Sequence, residues 1–284
     1  MADPAEAFGM IALGGGYTGI YSVGIMKAMI ELGMRPKIVT TSSVSALNVP
    51  FAIQHNWEST RPLEIVFDYV EKKGPRFVFN FGFLEILTAL ILRKDHISPN
   101  DGVRELVSHL DSEKIVGSDI ELRVIAVNEA TNDEETFSTR DPRIIENPEI
   151  LKDIIIASCG FPGILPSHKV NGVLYHDAIN PDIISDIRDL FESGCERVYL
   201  LVNSSPDYKK PVKVWFLTKI MGEVYRWANS DLSAAQKAYG KRLVILRPPE
   251  KVEHLSRTSF KKGDFEKALR VAYVSSKRIF ENLK

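Results

Sequence analysis

The chain has 284 residues, 44% of them hydrophobic, which is enough to build a sizeable core in one large or two small domains. Its 36 Lys and Arg against 37 Asp and Glu leave a formal net charge of -1, so global charge gives no basis for a nucleic-acid partner or for attraction to a membrane. Only two cysteines occur, Cys159 and Cys195, in apolar or helix-like settings; they read as buried free thiols, and with no basic-then-apolar leader at the start of the chain a cytoplasmic location is expected.

Residues 8–13 are predicted as a buried strand and residues 18–32 as a helix with apolar residues at helical spacing, stopped by Gly33. Between them stands the turn Gly14-Gly15-Gly16-Tyr17-Thr18-Gly19. Three glycines between a strand and a helix present backbone N–H groups with no Cβ in the way, which suits an oxyanion. A phosphate loop and a purely structural tight turn are the alternatives, although no Gly-Lys-Ser/Thr follows as a triphosphate-binding loop requires.

Residues 36–41 form a second predicted strand, and Thr41-Ser42-Ser43-Val44-Ser45 leads from it into another helix. A nucleophilic serine at such a turn is normally flanked by glycines two residues away on either side, because neighbouring backbone crowds those positions. With Ser43 as nucleophile they carry Thr41 and Ser45, both small; with Ser42 they carry Thr40 and the branched Val44, so Ser43 is preferred. On this segment alone the serines suit an ordinary helix N-cap equally well.

A mostly helical region runs on through Leu110, with a loop at residues 96–100 before a helix from Asp101. In it Phe77, Phe79, Phe81 and Phe83 alternate ahead of Leu84, Ile86, Leu87, Leu90 and Ile91, a stretch too short and too broken by Asn80, Gly82 and Glu85 to span a bilayer. Strands are predicted at 120–128 and 135–138, a helix at 151–157, a strand at 173–176, a helix at 181–192 and a strand at 197–203. Trp215, Phe216, Tyr225 and Trp227, with Lys213, Lys219 and Arg226, lie in a helix-like stretch. These and the phenylalanine run could cover an acyl pocket or touch a membrane surface, although core packing is the better reading for both, since helix-spaced apolar residues are usually buried.

Alternating strands and helices imply an α/β fold of three layers, α/β/α, with a mostly parallel central sheet, and residues 1–284 read as one domain. Sites in such sheets gather at the carboxyl ends of the strands, where the glycine turn and the Ser43 turn both fall. The histidines show no metal-ligand spacing such as H-E-x-x-H, so no metal is expected.

Further on, Ala157-Ser158-Cys159-Gly160-Phe161-Pro162-Gly163 precedes His176-Asp177-Ala178 after a predicted strand. With the glycine turn and the Ser43 turn followed by Ala46-Leu47-Asn48, these make four blocks whose order resembles the patatin-like phospholipases. The resemblance covers residues 8 to about 202 and continues more loosely from 242 to 279. It implies a Ser-Asp dyad with no catalytic histidine and no cofactor, hydrolysing lipid acyl esters with at most transient membrane contact. Carried onto this chain, Ser43 matches the nucleophile, Asp177 the base, and Gly14, Gly15 and Gly16 the oxyanion turn. His176 adjoins Asp177, but neighbouring strand residues face opposite ways, so it reads as a structural histidine. The departures are Thr41 and Ser45 in place of the elbow glycines, Thr18 where the family usually has a basic residue, and Ala178-Ile179 in place of a glycine pair. A β-branched Thr41 could distort the strained turn, and losing the basic side chain near the glycine turn could weaken anion stabilisation. Together the departures leave a catalytically weak or inactive lipid-binding relative as the alternative.

Overall fold

The computed structural model describes residues 7–80, 91–92, 96–178, 181–203, 232–250 and 252–283. The Trp215–Trp227 stretch and Phe81, Phe83, Leu84, Ile86, Leu87 and Leu90 lie outside them. Eight strands form one mixed sheet: β1 (Phe8–Ala12), β2 (Ile38–Thr41), β3 (Glu121–Asn128), β4 (Glu134–Ser138), β5 (His168–Val170), β6 (Val173–His176), β7 (Arg197–Leu201) and β8 (Leu243–Leu246). Their order is β5-β6-β3-β2-β1-β7-β8, with β4 paired to β3 off that path. β3, β2, β1, β7 and β8 run parallel, while β4, β6 and β5 join antiparallel.

The helices used below are α1 (Ile20–Glu31), α2 (Val44–Ile53), α3 (Arg61–Lys73), α4 (Asp101–Val107), α5 (Ser112–Val116), α6 (Pro142–Glu146), α7 (Ile150–Ser158) and α8 (Ile183–Glu192), followed by a C-terminal helix, Asp264–Asn282. Alternation along the strands sorts the core onto two faces. Met10 and Ala12 of β1, with Tyr199 and Leu201 of β7, pack with α1, α2, α3, α7 and the C-terminal helix, while Ile11, Val198 and Leu200 pack with Ile183, Ile187 and Leu190 of α8. The three α8 residues recur at i, i+4 and i+7, which gives that helix one apolar stripe for one sheet face. The expected three-layer α/β/α architecture with a mostly parallel sheet is thus observed.

Differences from the sequence reading lie at element ends, in short elements, and in the C-terminal helix, which is not among the predicted elements. The glycine turn opens as a 3-10 turn over Gly16–Gly19 before α1 begins at Ile20. α1 closes with Met34 N–H donating to Met29 O and Gly33 N–H to Ile30 O, the bonding expected of a helix that Gly33 stops. Strand β5 is too short to announce itself, whereas β8, an apolar run between Gly240 and Pro248, and the C-terminal helix, which follows Gly263 with its buried residues at helical spacing, carry local patterns yet are not among the predicted elements. No helix among the described residues is long and apolar enough to cross a membrane.

The pairing around β3 positions the site. Arg123–Val127 pair with β4 along one edge of β3, so the strands that also pair with Val124 and Val127 must lie along its other edge. β2 reaches Val124 there through Thr41, and β6 reaches Val127 there through His176. β2 runs parallel to β3 and β6 antiparallel, so their C-terminal ends point at each other along one edge. The residues that follow them, Ser42-Ser43 and Asp177, meet in the gap opposite Ile125 and Ala126.

Candidate active site

Ser43 sits where β2 turns sharply into α2, with φ 55° and ψ -135°. A residue with a Cβ held there is strained, at a cost of about 1–3 kcal/mol, and persists only where its surroundings over-determine it. The N-cap alternative is resolved at this point, since the Ser43 side chain makes no capping bond to α2. Instead its N–H donates to Ser158 Oγ at 3.0 Å, and its carbonyl accepts from Ala46 N–H at 2.9 Å and from Cys159 Sγ at 3.3 Å.

Asp177 follows the last residue of β6 and is 2% exposed. Burial raises its carboxyl pKa to about 7, while hydrogen bonding from the Ser43 hydroxyl and the positive charge of Arg257 pull it back down. Among the described residues Asp177 Oδ1 has no hydrogen-bond partner. His176 turns away, its Nδ1 lying 3.0 Å from the Asp177 backbone carbonyl.

The glycine turn closes the third side. A Cβ on Gly14 would lie 2.5 Å from Ser43 Cβ and 3.1 Å from Ser43 Oγ, so only glycine lets the β1 end approach this serine. Gly16, at φ 55°, faces the Arg257 carbonyl, which a Cβ would meet at 2.1 Å and which accepts the Tyr17 N–H at 2.9 Å. Gly14, Gly16 and Gly19 also have the spacing of a dinucleotide loop. The N–H groups of Gly15 and Gly16 donate to no described residue.

Of the departures from the family pattern, Thr18, Thr41 and Ser45 each make a hydrogen bond of their own, while Ile179 lies outside the described residues. Thr18, in place of a basic residue, closes the turn by donating from Oγ1 to Gly15 O at 2.7 Å. Thr41 donates from Oγ1 to Arg123 O at 3.1 Å, tying β2 to β3. Ser45 donates from Oγ to Leu13 O at 2.7 Å, and Asn203 Nδ2 donates to the same carbonyl at 2.7 Å. Asn203 Oδ1 accepts from Ser22 N–H at 3.0 Å and Ser22 Oγ at 2.6 Å, joining the ends of β1 and β7 to α1. The expectation that Thr41 would distort the turn is therefore replaced by a bonded role: it lies within β2, where a β-branched side chain packs well.

Ser43 opens onto a cavity of about 60 Å³ whose walls are Tyr17, Leu47, Phe67, Phe79, Leu106 and Leu165, among others, with Gly16, Val44 and Cys159 at the serine end. A water-sized group needs about 10–15 Å³, so the cavity takes a handful of methylene-sized groups. Phe79 of the phenylalanine run lines it and stacks edge-on to Tyr17, while Phe77 packs against Tyr69. Sequence reasoning missed Ser158, Asn203 and Arg257. The first two fall in or just past recognised blocks, but Arg257 is 80 residues beyond Asp177 and carries no local signal.

Among curated protein sequences none matches this chain. Among solved structures, VipD from Legionella pneumophila superposes with a TM-score of 0.50 at 12% identity, over 98% of this chain and 67% of that one. Human GIVD cytosolic phospholipase A2 gives 0.43 at 13% identity, over 97% and 58%. ExoU of Pseudomonas aeruginosa, in its complex with SpcU, gives 0.40 at 14%, over 98% and 52%. The chain thus spans between about half and two thirds of the length of these proteins. A family model described as patatin-like phospholipase matches residues 12–178, a span that opens at the last residue of β1 and closes one residue past Asp177. On that match over more than half its length, the chain belongs to the patatin-like phospholipase family.

Proposed function

We propose that this protein is a lipid acyl hydrolase that cleaves carboxylic esters of phospholipids or related lipids through a Ser43–Asp177 dyad. The observation that carries the reading is the meeting of a strained serine, a buried carboxylate and a glycine turn at the mouth of an apolar cavity. Ser43 Oγ attacks the ester carbonyl carbon as its proton passes to the Asp177 carboxylate. The N–H groups of the Gly14–Gly16 turn, with that of Val44 at the start of α2, donate to the carbonyl oxygen as it gains negative charge. Asp177 then returns the proton to the departing alkoxide, leaving an acyl ester on Ser43. In the second half-reaction Asp177 takes a proton from water, the hydroxide oxygen bonds to the acyl carbon, and the Ser43 Oγ–acyl bond breaks as the proton returns to Oγ. The acyl chain enters the cavity between α3 and α4.

A carboxylate of ordinary acidity is a poor base towards a serine hydroxyl, and the raised pKa of Asp177 brings it nearer to its task. The test is fluorophosphonate labelling with mapping of the modified residue, alongside turnover of a short p-nitrophenyl ester. Label on Ser43, together with loss of turnover in Ser43→Ala and Asp177→Asn but not in Ser42→Ala or His176→Ala, is the expected result. A folded protein that neither labels nor turns over the ester overturns it and leaves a lipid-binding role on the same fold.

A further inference from the structure

The residues at the end of α7 touch both members of the pair. Ser158 Oγ accepts the Ser43 N–H at 3.0 Å, Cys159 Sγ donates to the Ser43 carbonyl at 3.3 Å, and Gly160 O accepts the Asp177 N–H at 3.0 Å. Three consecutive residues therefore hold the nucleophile by both its peptide groups and the base by its own amide. Ser158 is fully buried, and its single hydroxyl proton is committed to Ile125 O at 2.7 Å. With that proton spent, only its lone pairs face Ser43, so it serves there as an acceptor. Ile125 lies on β3 opposite the gap between the ends of β2 and β6. The Ser158 hydroxyl bridges this gap, taking the N–H of the turn on one side and the carbonyl of β3 on the other.

We infer that residues 158–160 form a bracket that sets the spacing of Ser43 and Asp177, with Ser158 as a positioning residue that holds Ser43 in its strained conformation. The inference rests on the dyad reading above. A free Ser43 would relax from φ 55° towards ordinary backbone angles, swinging Oγ away from Asp177 and the glycine turn. Among the described residues the Ser158 hydroxyl is the one partner of the Ser43 N–H. The Ala46 and Cys159 bonds restrain the carbonyl on the other side of Cα, and neither fixes φ. Displacement of a reacting group by about 1 Å can cost on the order of a hundredfold in rate, so the bracket acts on turnover more than on binding. Gly160 fits the same role: a Cβ there would lie 2.8 Å from Pro166 O, so the chain passes too close for any other residue to present its carbonyl to Asp177 at this point.

The experiment compares Ser158→Ala and Ser158→Cys with the parent protein in kcat, KM and the rate of fluorophosphonate labelling at Ser43, with thermal melting to establish folding. The cysteine variant is nearly the same size, so it keeps the packing while replacing a good acceptor with a weak one. Expected in both is a fall in kcat and labelling rate of roughly 10- to 100-fold, with KM within about threefold of the parent. Either variant folded with unchanged kcat and labelling overturns the bracket while leaving the dyad intact, and so does a rise in KM at constant kcat. If neither variant folds, Ser158 is a stability element and the inference is rejected. Failure of the parent protein to label at Ser43 is the separate outcome that removes the dyad reading and the bracket with it.

Discussion

Replacing Asp177 by asparagine should make this protein more stable, and more so at high pH than at low. The carboxyl titrates near pH 7 in the folded chain and near its ordinary value of 3.8 when unfolded, because burial penalises its charged form. Below pH 4 both states are protonated and the residue costs nothing electrostatically. Between pH 4 and 7 the unfolded chain ionises while the folded one does not, and stability falls by about 1.4 kcal/mol per pH unit. Above pH 7 the loss levels off at about 4 kcal/mol, of which about 3 kcal/mol develops between pH 5 and pH 8. The amide of the Asp177→Asn variant has no proton to exchange, so the stability gap between variant and parent should widen by about 3 kcal/mol over that interval. Unfolding entropy for a chain of this length is about 0.6 kcal/mol/K, which makes the widening about 5 °C in Tm. Asp186, whose carboxyl burial also raises to about 7, titrates in the same window, but both proteins carry it and it cancels in the difference. Urea denaturation of both proteins at pH 5, 6, 7 and 8 measures the gap directly. A gap that is constant with pH refutes the assigned titration, and one that narrows means that the partners of the carboxylate outweigh its burial. A more stable variant without activity is the pattern expected where a site keeps a group for function at a cost in stability.

The pH–rate profile of the parent should rise through about pH 7 as Asp177 ionises, and Arg257→Gln should move its midpoint upward by removing a positive charge that favours the carboxylate; an unmoved midpoint with activity retained refutes that role for the guanidinium. Gly14→Ala places a methyl 2.5 Å from Ser43 Cβ, so kcat should fall at least about tenfold with little change in KM for a short ester, and normal turnover would show that the two turns are farther apart than described. Ser45→Gly should lower stability by about 1–2 kcal/mol without raising turnover: it removes a buried bond to Leu13 O, a carbonyl that keeps its bond from Asn203. A rise in turnover in that variant would instead mark Ser45 as a relic of a lost glycine.

What could be read from the sequence was whatever is encoded locally. Strands β1, β2, β3 and β7 are short apolar runs bounded by turn residues, and the α8 stripe repeats at helical spacing, so type and order follow from nearest neighbours in the chain. The glycine turn, Ser43 and Asp177 were recognisable because each lies in a short block whose residue types the chemistry constrains. Strand β5, of three residues, owes its conformation to the strand beside it and carries too little pattern of its own. The roles of Thr41, Ser45 and Thr18 were equally out of reach, since a hydroxyl in a sequence does not disclose which carbonyl it will meet. Above all, the meeting of Ser43 with Asp177, 134 positions apart, is decided by β2 and β6 sharing one edge of β3 from opposite directions. That is a matter of register between distant strands, set by packing across the whole sheet, and so is the arrival of Arg257 against the glycine turn. Only the tertiary structure brings Ser43, Asp177 and the glycine turn together, because that proximity depends on contacts no local segment contains.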